Sequence, residues 1–218
     1  MKLLGLILLI VAASCDGTPV NNNKWLDEVL ERANKDIRET ASTMLPLPSG
    51  QLNGKVSYSD GIVLGLDSFY RTADATTSYN GTHFLSDIHY GFRFLSAAFK
   101  NVNIGGKDMS ATFRVRDNSI HFAFYLIRIN GCKVRLVNME VERLSKVDFG
   151  SSSQEYDGSD VEEFFGTEVL STLNAYLNSH KEEIEESLQF LCHPHEKNLH
   201  PEPRYLEFVE DFFFKRDN

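Results

Sequence analysis

Between His83 and Leu136 successive segments alternate apolar and polar residues with a period of two, and no helical pattern intervenes. This limits the fold more than any other feature, because side chains alternate faces in this way only along a strand. Phe84, Ile88, Tyr90, Phe92 and Phe94 fall on one face, and His83, Asp87, His89 and Arg93 on the other. Met109, Ala111, Phe113 and Val115 then alternate with Ser110, Thr112, Arg114 and Arg116, and Asp117-Asn118-Ser119 reads as a turn. Phe122, Phe124 and Leu126 follow, and Asn130-Gly131 signals a hairpin leading into Cys132-Lys133-Val134-Arg135-Leu136. Upstream, Leu52, Val56 and Tyr58 alternate with Asn53, Lys55 and Ser57. Strands joined by short turns predict an antiparallel meander with one apolar and one polar face.

Helical periodicity flanks this run. Trp25, Val29, Ala33, Ile37, Ala41 and Met44 recur at helical spacing, which predicts an amphipathic helix over 24–44 ended by Pro46 and Pro48. A Gly/Ser-rich loop at 150–160 precedes a second helical pattern, where Ser159 and Glu162 suit a capping box. From there to about 191, Val161, Phe165, Val169, Leu173, Tyr176, Ile184, Leu188 and Leu191 form one stripe. Phe164, Leu170, Ala175 and Leu177 make the first half apolar on every side, so that half is expected to be surrounded. The fold class expected is α+β: a curved antiparallel sheet wrapped around a long C-terminal helix, with the amphipathic helix at its N-terminal side.

The start of the chain sets the compartment. Met1-Lys2, the apolar run Leu3–Ala13 and the small residues at 12–14 describe a secretory signal peptide over 1–15, too short to span a membrane. One domain is expected over 16–200, followed by an acidic aromatic tail at 201–218. Cleavage after Ser14 would expose Cys15, which also resembles a bacterial lipoprotein site. In an oxidising compartment Cys132 and Cys192 are expected to pair, although a retained Cys15 would leave one thiol over. Asn80-Gly81-Thr82 is the chain's N-glycosylation sequon. With 31 acidic against 22 basic residues, nucleic acid is a poor partner for the molecule.

The segment Gly61-Ile62-Val63-Leu64-Gly65-Leu66-Asp67-Ser68-Phe69-Tyr70-Arg71-Thr72-Ala73-Asp74-Ala75 resembles the group 7 mite allergens and their arthropod relatives. In these a Gly-Leu pair on a strand is followed by an Arg and a turn. The order of elements agrees over roughly 24–192. The resemblance implies the tubular lipid-binding superfamily, which includes bactericidal permeability-increasing protein and the juvenile-hormone-binding and takeout-like carriers. It also implies an apolar ligand.

A sheet curled on a helix leaves an elongated apolar cavity if the interior is incompletely filled, and such cavities hold small molecules. The expected lining is Val56, Ile62, Leu66, Phe84, Ile88, Tyr90, Phe92, Phe94, Met109, Phe113, Phe122 and Phe124 from the sheet, with Leu173 and Leu177 from the helix. The other reading is a secreted interaction module, allergen-like, with a filled core and a protein partner held through the tail aromatics. No nucleophile elbow or phosphate-binding glycine loop anchors catalysis, so neither enzyme activity nor a cofactor is expected. His193, His195 and His200 lack metal-site spacing, and no metal is expected there.

Overall fold

The structure is a computed structural model that describes residues 17–40, 43–52, 56–104, 106–128, 131–153, 158 and 160–192. Four long antiparallel passes make the sheet. The first is β4 (Val56–Leu64), β5 (Phe69–Arg71) and β6 (Thr76–Tyr79); the second is β7 (His83–Phe92) and β8 (Leu95–Ile104). The third is β9 (Lys107–Ile127) and the fourth β10 (Lys133–Ser151). Strand β9 pairs with β8 and β7 end to end along one side and with β10 along the other. Strand β4 pairs with β8, while β5 and β6 pair with β7. Short strands β2 (Met44–Leu47) and β3 (Gly50–Leu52) extend the sheet beyond β4, and β1 (Val20–Asn21) extends it beyond β6.

All four passes are interrupted or change their pairing at one level. The first breaks between Leu64 and Phe69, the second at Arg93-Phe94, the third passes from β8 to β7 across 116–119, and the fourth shifts register between Val141 and Arg143. Gly65 sits at φ +85°, and a Cβ there would run into the carbonyl of Phe94. A Cβ on Gly91 would likewise meet the carbonyl oxygen of Asn118 at 2.4 Å, so the passes approach here as only glycine permits. The expected turn at 117–119 does not form, because the ladder to β10 carries the strand through. Asn118, 2% exposed, instead turns its amide into the gap: Oδ1 accepts from the Phe92 N–H (2.7 Å) and Nδ2 donates to the Phe92 carbonyl (2.8 Å).

Helix α1 spans Asn23–Glu39 and stops short of the expected Met44. Thr40 caps it, its hydroxyl donating back to the carbonyls of Asp36 and Ile37, and Met44 is an exposed strand residue. Leu26, Leu30 and Ile37 are its buried residues, while Trp25 and Val29 are half-buried.

The C-terminal stretch is also divided. It runs as α2 (Val161–Phe164), a π-helical turn (Phe165–Val169), α3 (Leu170–Ser179), α4 (Lys181–Ser187) and a 3₁₀ turn (Leu188–Cys192). The break at His180 follows Asn178-Ser179, weak helix formers whose side chains compete for backbone groups. Nor is its first half surrounded: Ala175 is exposed, and Leu170 and Leu173 are half-buried. Ser159 lies outside the described residues. The N-cap is Asp160 without a side-chain cap bond, and Glu162 accepts from the Lys146 N–H instead (3.1 Å).

That bond is one of four rungs joining these helices to β10. Asn174 is bidentate to the Val141 backbone (2.7 and 3.0 Å) and Gln189 to that of Val134 (3.1 and 3.0 Å), while Glu185 accepts from Leu136 (3.0 Å). β10 is paired on one side only, and helix side chains satisfy what its free edge would expose. Cys132 and Cys192 form a disulfide, Cα–Cα 5.4 Å, that ties the last helical turn to the start of β10. Among the described residues no helix is long and apolar enough to cross a membrane.

Candidate functional site

Both helical layers lie on the same face of the sheet. Ile88 pairs with Phe122 and Tyr90 with Ile120 across β7 and β9, so these four share a face. Ile88 and Tyr90 pack with Leu26, Leu30 and Ala75 under α1. Ile120 and Phe122 pack with Leu136, Leu177 and Ile184 under α3 and α4. The segment that carried the family resemblance is the seat of α1. Arg71 holds Asp27 (2.9 and 3.2 Å), and Asn23 accepts from the Ala75 N–H (2.8 Å) and donates to Asp74 (2.8 Å). Asn34 completes the seat, bidentate to the Phe69 backbone (2.9 and 2.7 Å).

The helical layers therefore stand on β5 and on β10, with β7 and β9 between them. Three strand spacings put these lines about 14 Å apart, against the 8–10 Å of helices in contact. The strip between is apolar and incompletely covered. Phe84, Phe92, Phe122 and Phe124 are all half-buried; Phe84 stacks on Tyr79 at 4.3 Å, Phe92 lies 4.5 Å from Phe69, and Phe122 lies 5.3 Å from Phe124. Trp25 on α1 borders it, and its Nε1 is buried without a hydrogen-bond partner among the described residues. Burial pushes the Tyr90 phenol up to about 12, so this floor stays uncharged at neutral pH.

The expected lining divides along the sheet. Ile88, Tyr90, Phe84, Phe92, Phe122 and Phe124 belong to the strip, with Leu173 and Leu177 on its C-terminal wall. Val56, Met109 and Phe113 sit at the far end, in a cluster with Val102 and Ala111 closed by Val161 and Phe165. Three residues are displaced. Ile62 is 37% exposed, because Asp60 at φ +52° shifts the alternation of β4, and Gly61 and Val63 turn inward in its place. Phe94 is 58% exposed beyond the end of β7, under the Arg114 guanidinium, and Leu66 lies in the turn after β4. The Asp60-Gly61 pair was the available signal for that shift. An open groove of about 290 Å³ lies elsewhere, lined by Leu64, Ala97, Phe113, Arg114 and Phe149 among others.

The opposite face is polar. There Asp87, His89 and His121 bring together the kinds of donor atom that could hold a metal ion. His193, His195 and His200, the histidines weighed from sequence, lie outside the described residues, as do the signal segment, Cys15 and the aromatic tail. Asn80 is exposed in the turn between β6 and β7, where its Oδ1 accepts from the His83 N–H (3.0 Å).

No protein-family model and no curated protein sequence matches this chain. Among solved structures it is similar to Takeout 1 of Epiphyas postvittana, with 14% identity and a TM-score of 0.38 over 93% of this chain and 95% of that one. It is also similar to lipopolysaccharide binding protein, with 12% identity and a TM-score of 0.34; the match covers 78% of this chain and 41% of that one. A takeout protein is thus among its structural neighbours, and neither of these two is a group 7 allergen.

Proposed function

We propose that this protein is a secreted, non-catalytic carrier that holds a lipid or similar apolar molecule on the strip between α1 and the C-terminal helices. The observation that supports this reading is the row of half-buried rings on the face that both helical layers use, with Phe84, Phe92 and Phe124 between the layers and Phe122 at the edge of the C-terminal one. Covering about 14 methylenes there is worth about 11 kcal/mol. Less at least about 4 kcal/mol for association, this gives a dissociation constant on the order of 10 µM. Trp25 Nε1, without a partner among the described residues, offers a donor for the polar end of such a ligand. Secretion through the N-terminal segment and a glycan on Asn80 belong to the same reading.

Trp25 is the only tryptophan, so its emission reports on the site directly. Titration with a fluorescent fatty acid is expected to quench it by energy transfer, saturably and reversibly on adding unlabelled fatty acid. Phe122→Asp with Phe124→Asp is expected to weaken binding at least tenfold. A signal that neither saturates nor competes would overturn the reading.

A further inference from the structure

On the outer face of the same strands, opposite the apolar strip, His89 and His121 stand directly across from each other on β7 and β9 with their rings 4.4 Å apart. Asp87, two residues before His89, reaches both imidazoles: its Oδ1 lies 2.8 Å from His121 Nε2 and 3.5 Å from His89 Nε2. We infer that Asp87, His89 and His121 form a binding site for a divalent transition-metal ion, with zinc the metal that suits two imidazoles and a carboxylate.

Three observations carry this. The three donor atoms lie within 4.8 Å of one another, so an ion at ordinary bond lengths of about 2.0–2.2 Å reaches all three with small side-chain rotations. Those rotations open the His121–Asp87 hydrogen bond and turn the stacked rings toward a common point, which side chains 20–39% exposed at the surface allow.

Second, the groups behind the ligands are placed as metal-binding histidines require. Glu142 Oε2 lies 3.1 Å from His89 Nδ1 and accepts from the Ser119 hydroxyl (2.7 Å), which is paired in turn with Thr72 (2.6 Å). A proton held on His89 Nδ1 leaves Nε2 free to bind metal. On His121, Nδ1 faces the Asn138 amide (2.9 Å) and Glu140 (3.6 Å). Asn138 Nδ2 also donates to Glu140 (3.0 Å), so Glu140, drawn slightly closer, is the group that accepts a hydrogen bond from a proton on His121 Nδ1 when Nε2 binds metal.

Third, the charge is unbalanced. Asp87, Glu140 and Glu142 surround two imidazoles, and among the described residues the only ion pairs these carboxylates make are with those imidazoles. Three acids with no lysine or arginine partner among the described residues leave a concentration of negative charge that a dication neutralises.

Calorimetric titration of the full secreted chain with zinc chloride tests the assignment, and it is independent of lipid binding. One ion per chain is expected with micromolar affinity, weakened at least tenfold by His89→Ala, His121→Ala or Asp87→Asn. Glu142→Gln, behind the ligands, is expected to weaken it less. Replacing His193, His195 and His200 together by alanine is expected to leave this site intact. Anomalous scattering at the zinc edge from crystals of the wild-type protein locates the ion without any variant, so a misfolded variant does not spoil the test. No saturable binding, a loss with the tail replacement alone, or a zinc peak away from His89 and His121 would each overturn it.

Discussion

Asn118 stands where the second pass hands over from β7 to β8 and no ladder partner is available on that side, so its amide takes the place of a backbone peptide. Removing it leaves the buried Phe92 N–H and carbonyl unpaired, and Asn118→Ala is expected to cost about 2–3 kcal/mol. Urea unfolding checks this as a lower midpoint with an unchanged slope; an unmoved midpoint would contradict it. Tyr90 gives a prediction about pH. Its folded value of about 12 lies above the ordinary 10, so the unfolded chain loses the proton first. Stability is therefore full below pH 10 and falls between 10 and 12, by at most about 3 kcal/mol. Tyr90→Phe should flatten that alkaline fall in a denaturation series, and an equal fall in the variant would show that another group is responsible. From sequence Tyr90 was legible as an inward residue by its alternation with His89. Asn118 was not: Asp-Asn-Ser has turn chemistry, and only the long-range ladder to β10 shows that the strand continues through it.

At the scale of elements, the strands were more legible than the helices. Period-two alternation is a local property, and it located β7, both halves of β9 and the start of β10, but not β8 or β10 beyond Leu136. What it missed are the points where alternation slips, as at Asp60, because a bulge inverts every assignment beyond it. The C-terminal helix was legible as helical but not as broken, since an apolar stripe says nothing of the π turn or of the stop at His180. Its most consequential contacts are polar. Glu162, Asn174, Glu185 and Gln189 cover the free edge of β10, and from sequence they resemble any solvated residues. The disulfide clamps the far end of this arrangement. Closing 60 residues, it contributes about 4 kcal/mol in the chain-entropy model. Its reduction should lower the unfolding midpoint accordingly and raise amide exchange first at 133–136. Exchange that rises uniformly across the sheet would contradict the clamp.

Over the whole molecule, four antiparallel passes give a sheet with two unlike faces, one apolar and carrying the helices, the other carrying the histidine and carboxylate cluster. The sheet and its apolar face were legible in the sequence. The uncovered strip was not legible there, because its width depends on where two sequence-distant helices are seated, by Arg71 and Asn34 on one side and Asn174 and Gln189 on the other. Charge adds a smaller contribution. The basic stretch 84–147 meets the acidic stretch 148–218 in pairs such as Arg116–Asp148 (2.6 Å) and Arg135–Glu185 (4.0 Å), both exposed enough to contribute less than about 1 kcal/mol each. The central claim is that an apolar ligand lies along the strip. Photolabelling with a diazirine-bearing fatty acid, followed by peptide mapping, tests it most directly. Labels concentrated on 84–92 and 120–126, and suppressed by unlabelled fatty acid, are the predicted result. Labels confined to the groove around Leu64 and Phe149, or scattered and unaffected by competitor, would contradict it.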